Sequence, residues 1–137
     1  MMFNARVQGV MDEVDALRER VDDHWQIPRD EALVLAQIAR AARCTSFCEI
    51  GVSYGYSTLH LAAVAAERAG RVEAIDIDPR KIEHASDHLR QAGLDGHVRL
   101  HAGDAAVVLP TLKPERPFDF VFIDADKPQC PVYLEAV

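Results

Sequence analysis

The chain has 137 residues, of which 49% are hydrophobic, so it has room for one domain with a substantial buried core. Its formal net charge of −7 argues against a nucleic-acid binder, which needs a basic face for phosphates. No apolar run approaches the roughly 20 residues of a membrane helix, and the N-terminus lacks the pattern of a signal peptide.

The first part of the chain, residues 5–43, is predicted to be helical. Its apolar residues recur at alternating spacings of three and four, as in one stripe of an amphipathic helix: Val7, Val10, Val14, Leu17 and Val21. We expect this stripe to pack on its own domain, with an oligomer seam or a substrate lid as the alternative. The segment WQIP breaks the pattern, and acidic residues then open a second helix that runs to about Ala42.

Strand and helix patterns alternate in the remainder of the chain, residues 46–137. Strands are predicted at 46–50, 71–77, 98–101 and 118–123, and helices at 58–68 and 79–92. Asp78 and Pro79 are a strong helix start, and Gly93 suits a left-handed helix end. Strands that alternate with helices predict a parallel sheet. We therefore expect one α/β domain over residues 1–137, with N-terminal helices and a Rossmann-like core.

The segment EIGVSYGYS, residues 49–57, joins the first strand to its helix. Its G-x-x-x-G spacing differs from the G-x-G-x-x-G of dinucleotide-binding turns. Gly51 and Gly55 allow the backbone to approach a ligand closely. Glu49, at the end of the strand, would disfavour a phosphate but favour an amino or sulfonium group. The turn therefore predicts a nucleoside that carries an amino acid.

Acidic residues also follow the other predicted strands. Asp76 ends the second strand, where a carboxylate can accept hydrogen bonds from a ribose diol, whereas Asp78 better suits a helix cap. Asp104 follows the third strand, where an adenine edge would lie, with a helix cap as its alternative role. Asp124 follows the fourth strand. We expect these acids to converge on the carboxyl edge of one sheet, where open α/β folds bind ligands.

Four motifs in order, EIGVSYGYSTL, AIDIDP, GDAAVVLP and FDFVFIDADK, resemble those of the metal-dependent class I O-methyltransferases related to catechol and caffeoyl-CoA O-methyltransferases. The resemblance runs from about Ile27 to the C-terminus. It implies the cofactor S-adenosylmethionine, with Mg²⁺ or a similar divalent cation. It also implies transfer of a methyl group to a hydroxyl of a small catechol-like or phenolic acceptor.

The resemblance implies cofactor-binding roles for nine residues, each matched to the family's motifs. The pocket for the methionine part of the cofactor would comprise Glu49, Gly51, Val52, Gly55 and Ser57, with Ser57 near the carboxylate. A buried acid that only caps a helix is the alternative role of Glu49. The remaining contacts would be made by Asp76 with the ribose, by Asp104 and Ala105 with the adenine, and by Asp126 at a further point of the cofactor.

The resemblance places the chemistry at the end of the fourth strand. Asp124 is similar to the first metal ligand, and Lys127 to the lysine that accepts the proton of the acceptor hydroxyl, with a solvated lysine as the alternative. The family's strand order is 3-2-1-4-5-7-6, and its second metal-binding pair, Asp-Asn, follows a later strand than any in this sequence. We therefore expect only strands 3-2-1-4, an incomplete metal site, an exposed apolar edge at 118–123, and weak or absent catalysis by these 137 residues alone.

Other functions compete with this interpretation. The turn also fits the G-x-S-x-G elbow of α/β-hydrolases, with Ser53 as nucleophile, but such an elbow normally follows several strands. A catalytically incomplete cofactor-binding or interaction fragment is a second alternative. An N-methyltransferase acting on nucleic acid is disfavoured, because DADK stands where Asn-Pro-Pro-Tyr would be expected.

The remaining polar residues carry less information. His84 and His88 lie one helical turn apart, and we expect them on a solvated face. The three cysteines have no CxxC spacing, so neither a disulfide framework nor a zinc site is predicted. We expect a cytoplasmic protein with reduced thiols and a small-molecule acceptor, without nucleic-acid or membrane partners, and with a homodimer as an open alternative.

Overall fold

The computed structural model describes residues 2–23, 26–124 and 130–137. Its centre is a sheet of four parallel strands in the order β3-β2-β1-β4. The strands are β1 (Ser46–Ile50), β2 (Arg71–Asp76), β3 (Val98–Ala102) and β4 (Phe120–Ile123). The predicted α/β class and the predicted 3-2-1-4 arrangement are therefore confirmed.

Six α-helices accompany these strands in the described parts of the chain. They are α1 (Ala5–Ala16), α2 (Arg29–Ala41), α3 (Tyr56–Ala66), α4 (Pro79–Ala92), α5 (Ala105–Val108) and α6 (Cys130–Ala136). Short 3₁₀ turns lie at Leu17–Glu19, Asp95–His97 and Leu109–Thr111. Helix α3 connects β1 to β2 and α4 connects β2 to β3, so both are crossovers between parallel neighbours. Across the described ranges, no helix combines the length and the apolar composition needed to cross a bilayer.

The two faces of the sheet are buried unequally. On one face, Phe47, Val72 and Ala74 join a large core formed with α1 to α4. On the other face, a smaller cluster of Cys48, Ile50 and Ile75 packs against α5 and the 3₁₀ turn that follows it. β1 is completely buried, whereas β4 lies at the sheet edge with Val121 36% exposed. This agrees with the apolar edge expected at 118–123.

The predicted apolar stripe of the N-terminal helix packs on the chain's own core. Val7, Val10 and Val14 are at most 7% exposed, and α1 contacts α3 and α4. Leu17 and Val21 lie beyond the end of α1 but still pack against the same core. The stripe is therefore part of this domain's interior.

Local capping chemistry sets both ends of α4 where the sequence predicts them. The Asp78 side chain accepts a hydrogen bond from the amide of Arg80 and caps α4, and Gly93 ends that helix with φ 73°. Helix α3 differs, because it begins at Tyr56, two residues before the predicted start. The left-handed Gly55 directly precedes it and completes the turn there, so no further loop residues are needed.

Candidate functional site

The loops that follow the strands lie side by side at the carboxyl edge of the sheet. The amide of Gly51 donates to the carbonyl of Ile75 at 2.8 Å, and the amide of Asp124 donates to the carbonyl of Ile50 at 2.8 Å. The amide of Gly103 donates to the carbonyl of Asp76 at 2.9 Å. These bonds continue the strand pairing into the loops and bring the predicted acidic residues to one edge, as expected.

Residues 51–55 form a tight turn, which we call the glycine turn. Gly51, Ser53 and Gly55 all have left-handed backbones, with φ of 97°, 51° and 93°. The carboxylate of Asp76 braces the turn, because its Oδ2 accepts from the amides of Val52 at 2.9 Å and Ser53 at 2.8 Å. A serine rarely adopts such a backbone without tertiary support, and the Asp76 carboxylate supplies it.

The glycine turn also lies directly against α4. A Cβ at Gly55 would come within 3.1 Å of the Ala85 Cβ, closer than ordinary van der Waals contact. Glycine is required here for both its left-handed φ and this close approach.

Glu49 is completely buried beneath the first turn of α3. Its carboxylate accepts hydrogen bonds from the hydroxyls of Ser57, at 2.5 Å, and Thr58. Burial, with a smaller effect from the charges of Asp124 and Asp76, raises the pKa of Glu49 to about 7 against the opposing effect of these two bonds. Glu49 therefore fixes Ser57 and Thr58 at the start of the helix.

Ser53 carries an unsatisfied polar atom within the glycine turn. The residue is 6% exposed, and its Oγ has no hydrogen-bond partner among the described residues. Leaving a buried hydroxyl unpaired costs about 1–3 kcal/mol, which a bound polar ligand would recover. A hydrolase elbow would instead need a histidine bonded to this hydroxyl, and none of the described histidines bonds to it.

Two further acids act as helix caps. Asp104 is exposed, and its Oδ1 accepts from the amide of Ala106 at 2.9 Å, so it caps α5, while the next residue, Ala105, is buried. Asp78 caps α4, as predicted, and its amide donates to Asp76 Oδ1 at 2.9 Å. The alternative cap role of Asp104 is thus present in the structure, and its predicted contact with adenine stays a prediction.

The end of β4 is described only as far as Asp124, whose side chain is exposed. Asp126 and Lys127, predicted as a cofactor contact and as the general base, lie outside the described residues. Within the described ranges, no group of three or more His, Cys, Asp or Glu side chains could hold a metal ion. These residues therefore do not by themselves fit a magnesium site, which needs several oxygen ligands.

One expectation for α4 is wrong. His88 is half-buried, with its Nδ1 2.7 Å from the carbonyl oxygen of Tyr54, whereas His84 is exposed as expected. A carbonyl oxygen only accepts, so this contact requires the proton on Nδ1. His88 lies three residues after Ala85, on the helix face that touches the glycine turn. The close packing of Gly55 on α4 therefore places His88 next to the carbonyl of Tyr54.

This chain matches an O-methyltransferase family model and relatives that are O-methyltransferases. The sequence profile of a family described as O-methyltransferase matches residues 8–137. A catechol O-methyltransferase of Mycobacterium tuberculosis is 39% identical over 118 residues, which cover 82% of this chain and 53% of the relative. A caffeoyl-CoA O-methyltransferase of Medicago sativa is 33% identical over 119 residues, covering 81% of this chain and 48% of the relative.

Solved structures agree with these relatives. The O-methyltransferase TomG of Streptomyces achromogenes, in complex with SAM, superposes with a TM-score of 0.83 at 31% identity, covering 97% of this chain and 59% of that chain. An O-methyltransferase of Bacillus cereus, in complex with SAH, gives a TM-score of 0.81 at 27% identity, with coverage of 97% and 60%. The chain spans about half the length of the curated relatives it matches.

Proposed function

The chain belongs to the O-methyltransferase family, and we propose that it binds S-adenosylmethionine for methyl transfer to a hydroxyl of a small phenolic acceptor. The observation that carries the proposal is the glycine turn. It presents a buried, unpaired Ser53 hydroxyl and is braced by Asp76 at the ligand-binding edge of the sheet. When bound, the cofactor would supply an electrophilic methyl group on a sulfonium.

Asp76 would hold the ribose while it continues to brace the glycine turn. An ionised carboxylate has about four acceptor sites, and the amides of Val52, Ser53 and Asp78 occupy three of them. The remaining site is left for a hydroxyl donor. The adenine contacts of Asp104 and Ala105 are proposed from the family pattern, beside the exposed cap at Asp104.

Ser57 would bind the amino-acid end of the cofactor under the control of Glu49. Because the Ser57 hydroxyl donates to Glu49, its oxygen offers lone pairs that suit an ammonium group. A contact with the cofactor carboxylate, as the resemblance implies, requires the Ser57 proton to turn away from Glu49. Protonation of Glu49, whose pKa is about 7, would allow that change.

The acidic surroundings favour a cationic ligand. Glu49, Asp76 and Asp124 interact electrostatically at the strand ends, and each disfavours a neighbouring phosphate. A sulfonium and an ammonium are both cations, so this edge suits S-adenosylmethionine better than a dinucleotide. Gly51, Val52 and Gly55 would contribute backbone surface to the same pocket.

The metal and the general base are proposed from the family pattern alone. Asp124 would be one ligand of a divalent cation, Asp126 a further cofactor contact and Lys127 the proton acceptor. The described residues offer no multi-ligand metal cluster, so they do not by themselves fit the cation. We also propose a cytoplasmic enzyme, with a homodimer left open.

Isothermal titration of the 137-residue chain with S-adenosylmethionine tests the proposal. We expect saturable binding that is unaffected by Mg²⁺, with no heat from NAD⁺ at the same concentration. Asp76→Ala and Glu49→Ala should each weaken binding at least tenfold, whereas Asp87→Ala, an exposed acid on α4, should not. Absence of both heat and thermal shift for the parent chain would leave the interaction-fragment alternative.

Catalysis is tested separately with catechol, S-adenosylmethionine and Mg²⁺. We expect weak or no methylation by these 137 residues, because the described metal ligands are too few. The hydrolase alternative predicts instead that a fluorophosphonate labels Ser53 stoichiometrically.

A further inference from the structure

Tyr54 lies at the meeting point of three separate parts of the chain. Its hydroxyl donates to Asp23 Oδ1 at 2.5 Å, and Asp23 belongs to the segment that precedes α2. Its carbonyl oxygen accepts from His88 on α4 at 2.7 Å. Tyr54 itself is the fourth residue of the glycine turn and is 8% exposed. The residue is therefore fixed at both its backbone and its side chain.

A lysine of α4 completes this arrangement. Lys81 is 8% exposed, its Nζ donates to the carbonyl oxygen of Asp23 at 3.0 Å, and it lies 5.7 Å from the centre of the Tyr54 ring. The His84 ring lies on the same tyrosine, with 5.4 Å between ring centres. We call these five residues, Asp23, Tyr54, Lys81, His84 and His88, the Tyr54 cluster.

The charges in the Tyr54 cluster favour a stable hydrogen bond. The cation of Lys81 lies near the carboxylate of Asp23, and the bond from Tyr54 lowers the pKa of Asp23, so the acceptor is ionised at neutral pH. The same bond raises the pKa of Tyr54 to about 12, so the hydroxyl keeps its proton. Hydrogen bonds to charged acceptors are roughly twice as strong as neutral ones.

The glycine turn is thus held from two sides. Asp76 holds the amides of Val52 and Ser53 from β2, and the Tyr54 cluster holds the next residue from α4 and from the N-terminal segment. A displacement of the segment that contains Asp23 would therefore displace Tyr54 and the neighbouring residues proposed to contact the cofactor.

We propose that Tyr54 is a positioning residue that ties the N-terminal segment before α2 to the glycine turn, so that cofactor binding depends on this tie. The inference rests on the proposed function for its cofactor readout, but the tie itself can be measured without any cofactor. Trp25 is the only tryptophan of the chain and lies two residues after Asp23 in the sequence. Its fluorescence therefore reports on the tied segment.

The experiment compares Tyr54→Phe and Asp23→Ala with the control Asp22→Ala. The control makes the same charge change at the adjacent, exposed residue. We expect the first two variants to change the acrylamide quenching constant of Trp25 and to weaken S-adenosylmethionine binding about five- to tenfold. The double variant should bind no more weakly than either single variant, because both remove the same bond. The control should match the parent in both measurements.

The outcomes separate the two proposals. Unchanged Trp25 quenching, or unchanged affinity despite altered quenching, would overturn the positioning role while leaving cofactor binding intact. A merely structural role would lower the melting temperature without changing quenching or affinity well below that temperature, and would also overturn it. A parent chain that takes up no cofactor while quenching still responds would retain the tie and reject the proposed function. If Tyr54→Phe fails to fold, Asp23→Ala decides, because it removes the same acceptor and Asp23 is only half-buried.

Discussion

The carboxylate of Asp76 accepts a hydrogen bond from the backbone amide of Ser53, with 2.8 Å between the two atoms. One side chain of β2 thereby supports a left-handed serine in the loop after β1. The residue predicted to hold a ribose is therefore also a structural brace. Its substitution should change both stability and affinity, and the two effects need to be measured separately.

Asp76→Asn should destabilise the fold by about 1–3 kcal/mol. Both oxygens of Asp76 accept hydrogen bonds from the amides of Val52, Ser53 and Asp78, whereas the asparagine side chain has only one acceptor oxygen. Cofactor affinity should fall at least tenfold. Urea unfolding and calorimetric titration measure these two effects. Asp78→Asn is the matched control, since asparagine caps a helix about as well as aspartate. Equal losses in the two variants would contradict a special role for Asp76.

Glu49 should make stability fall as the pH rises. Burial raises its pKa from 4.5 to about 7, so the folded chain holds a proton that the unfolded chain releases between these values. Its contribution favours folding below about pH 4.5, declines through the window and is constant above about pH 7. Burial lowers the pKa of His60, so the contribution of His60 makes stability rise with pH. The pH profile of the parent therefore combines two opposing contributions.

Glu49→Gln isolates this contribution. Between pH 5 and pH 8, the parent should lose roughly 2 kcal/mol more unfolding free energy than the variant does. Urea unfolding at several pH values provides the comparison. Parallel pH profiles for the two proteins would show that Glu49 does not titrate in this range.

Substitution by alanine should have opposite effects on stability at Gly55 and at Gly9. Gly55→Ala should destabilise the fold by about 1–3 kcal/mol and abolish cofactor binding, because the position has φ 93° and its new Cβ would press on Ala85. Gly9 lies inside α1 with nothing within 4 Å of an added Cβ, so Gly9→Ala should stabilise by about 0.5–1 kcal/mol. Thermal melts of both variants test the signs, and a stabilising Gly55→Ala would refute the described turn.

Ser53→Ala should leave the stability of the unliganded chain unchanged or slightly raised, since it removes a buried hydroxyl that has no described partner. If the cofactor satisfies that hydroxyl, affinity should fall about five- to tenfold. Denaturant unfolding measures the stability of the variant, and titration calorimetry measures its affinity for the cofactor. A clear loss of stability without cofactor would mean that the hydroxyl is already satisfied in the fold.

Features that depend on short-range chemistry could be predicted from the sequence. Strand β4 is an apolar run, and Asp78 and Gly93 mark the ends of α4 through local capping. The predicted strand order came from the family resemblance, and the structure has the same order.

Features that depend on distant contacts could not be predicted in this way. His88 was expected to be solvated, yet the close approach of the glycine turn to α4 buries it. The left-handed Ser53 depends on Asp76, 23 residues away, and the partner of Tyr54 is 31 residues away. No local sequence pattern predicts hydrogen bonds between such distant residues, because these residues meet only in the folded chain.

The unequal burial of the two sheet faces has a consequence for how the molecule opens. Four helices cover one face, whereas the described elements that pack on the other face, beside β4, are short. Free energies of local opening follow local packing, so amide hydrogens of β4 should exchange with solvent well before those of β1 and β2. The chain at Asp124, directly after β4, should then open while the glycine turn after β1 stays folded.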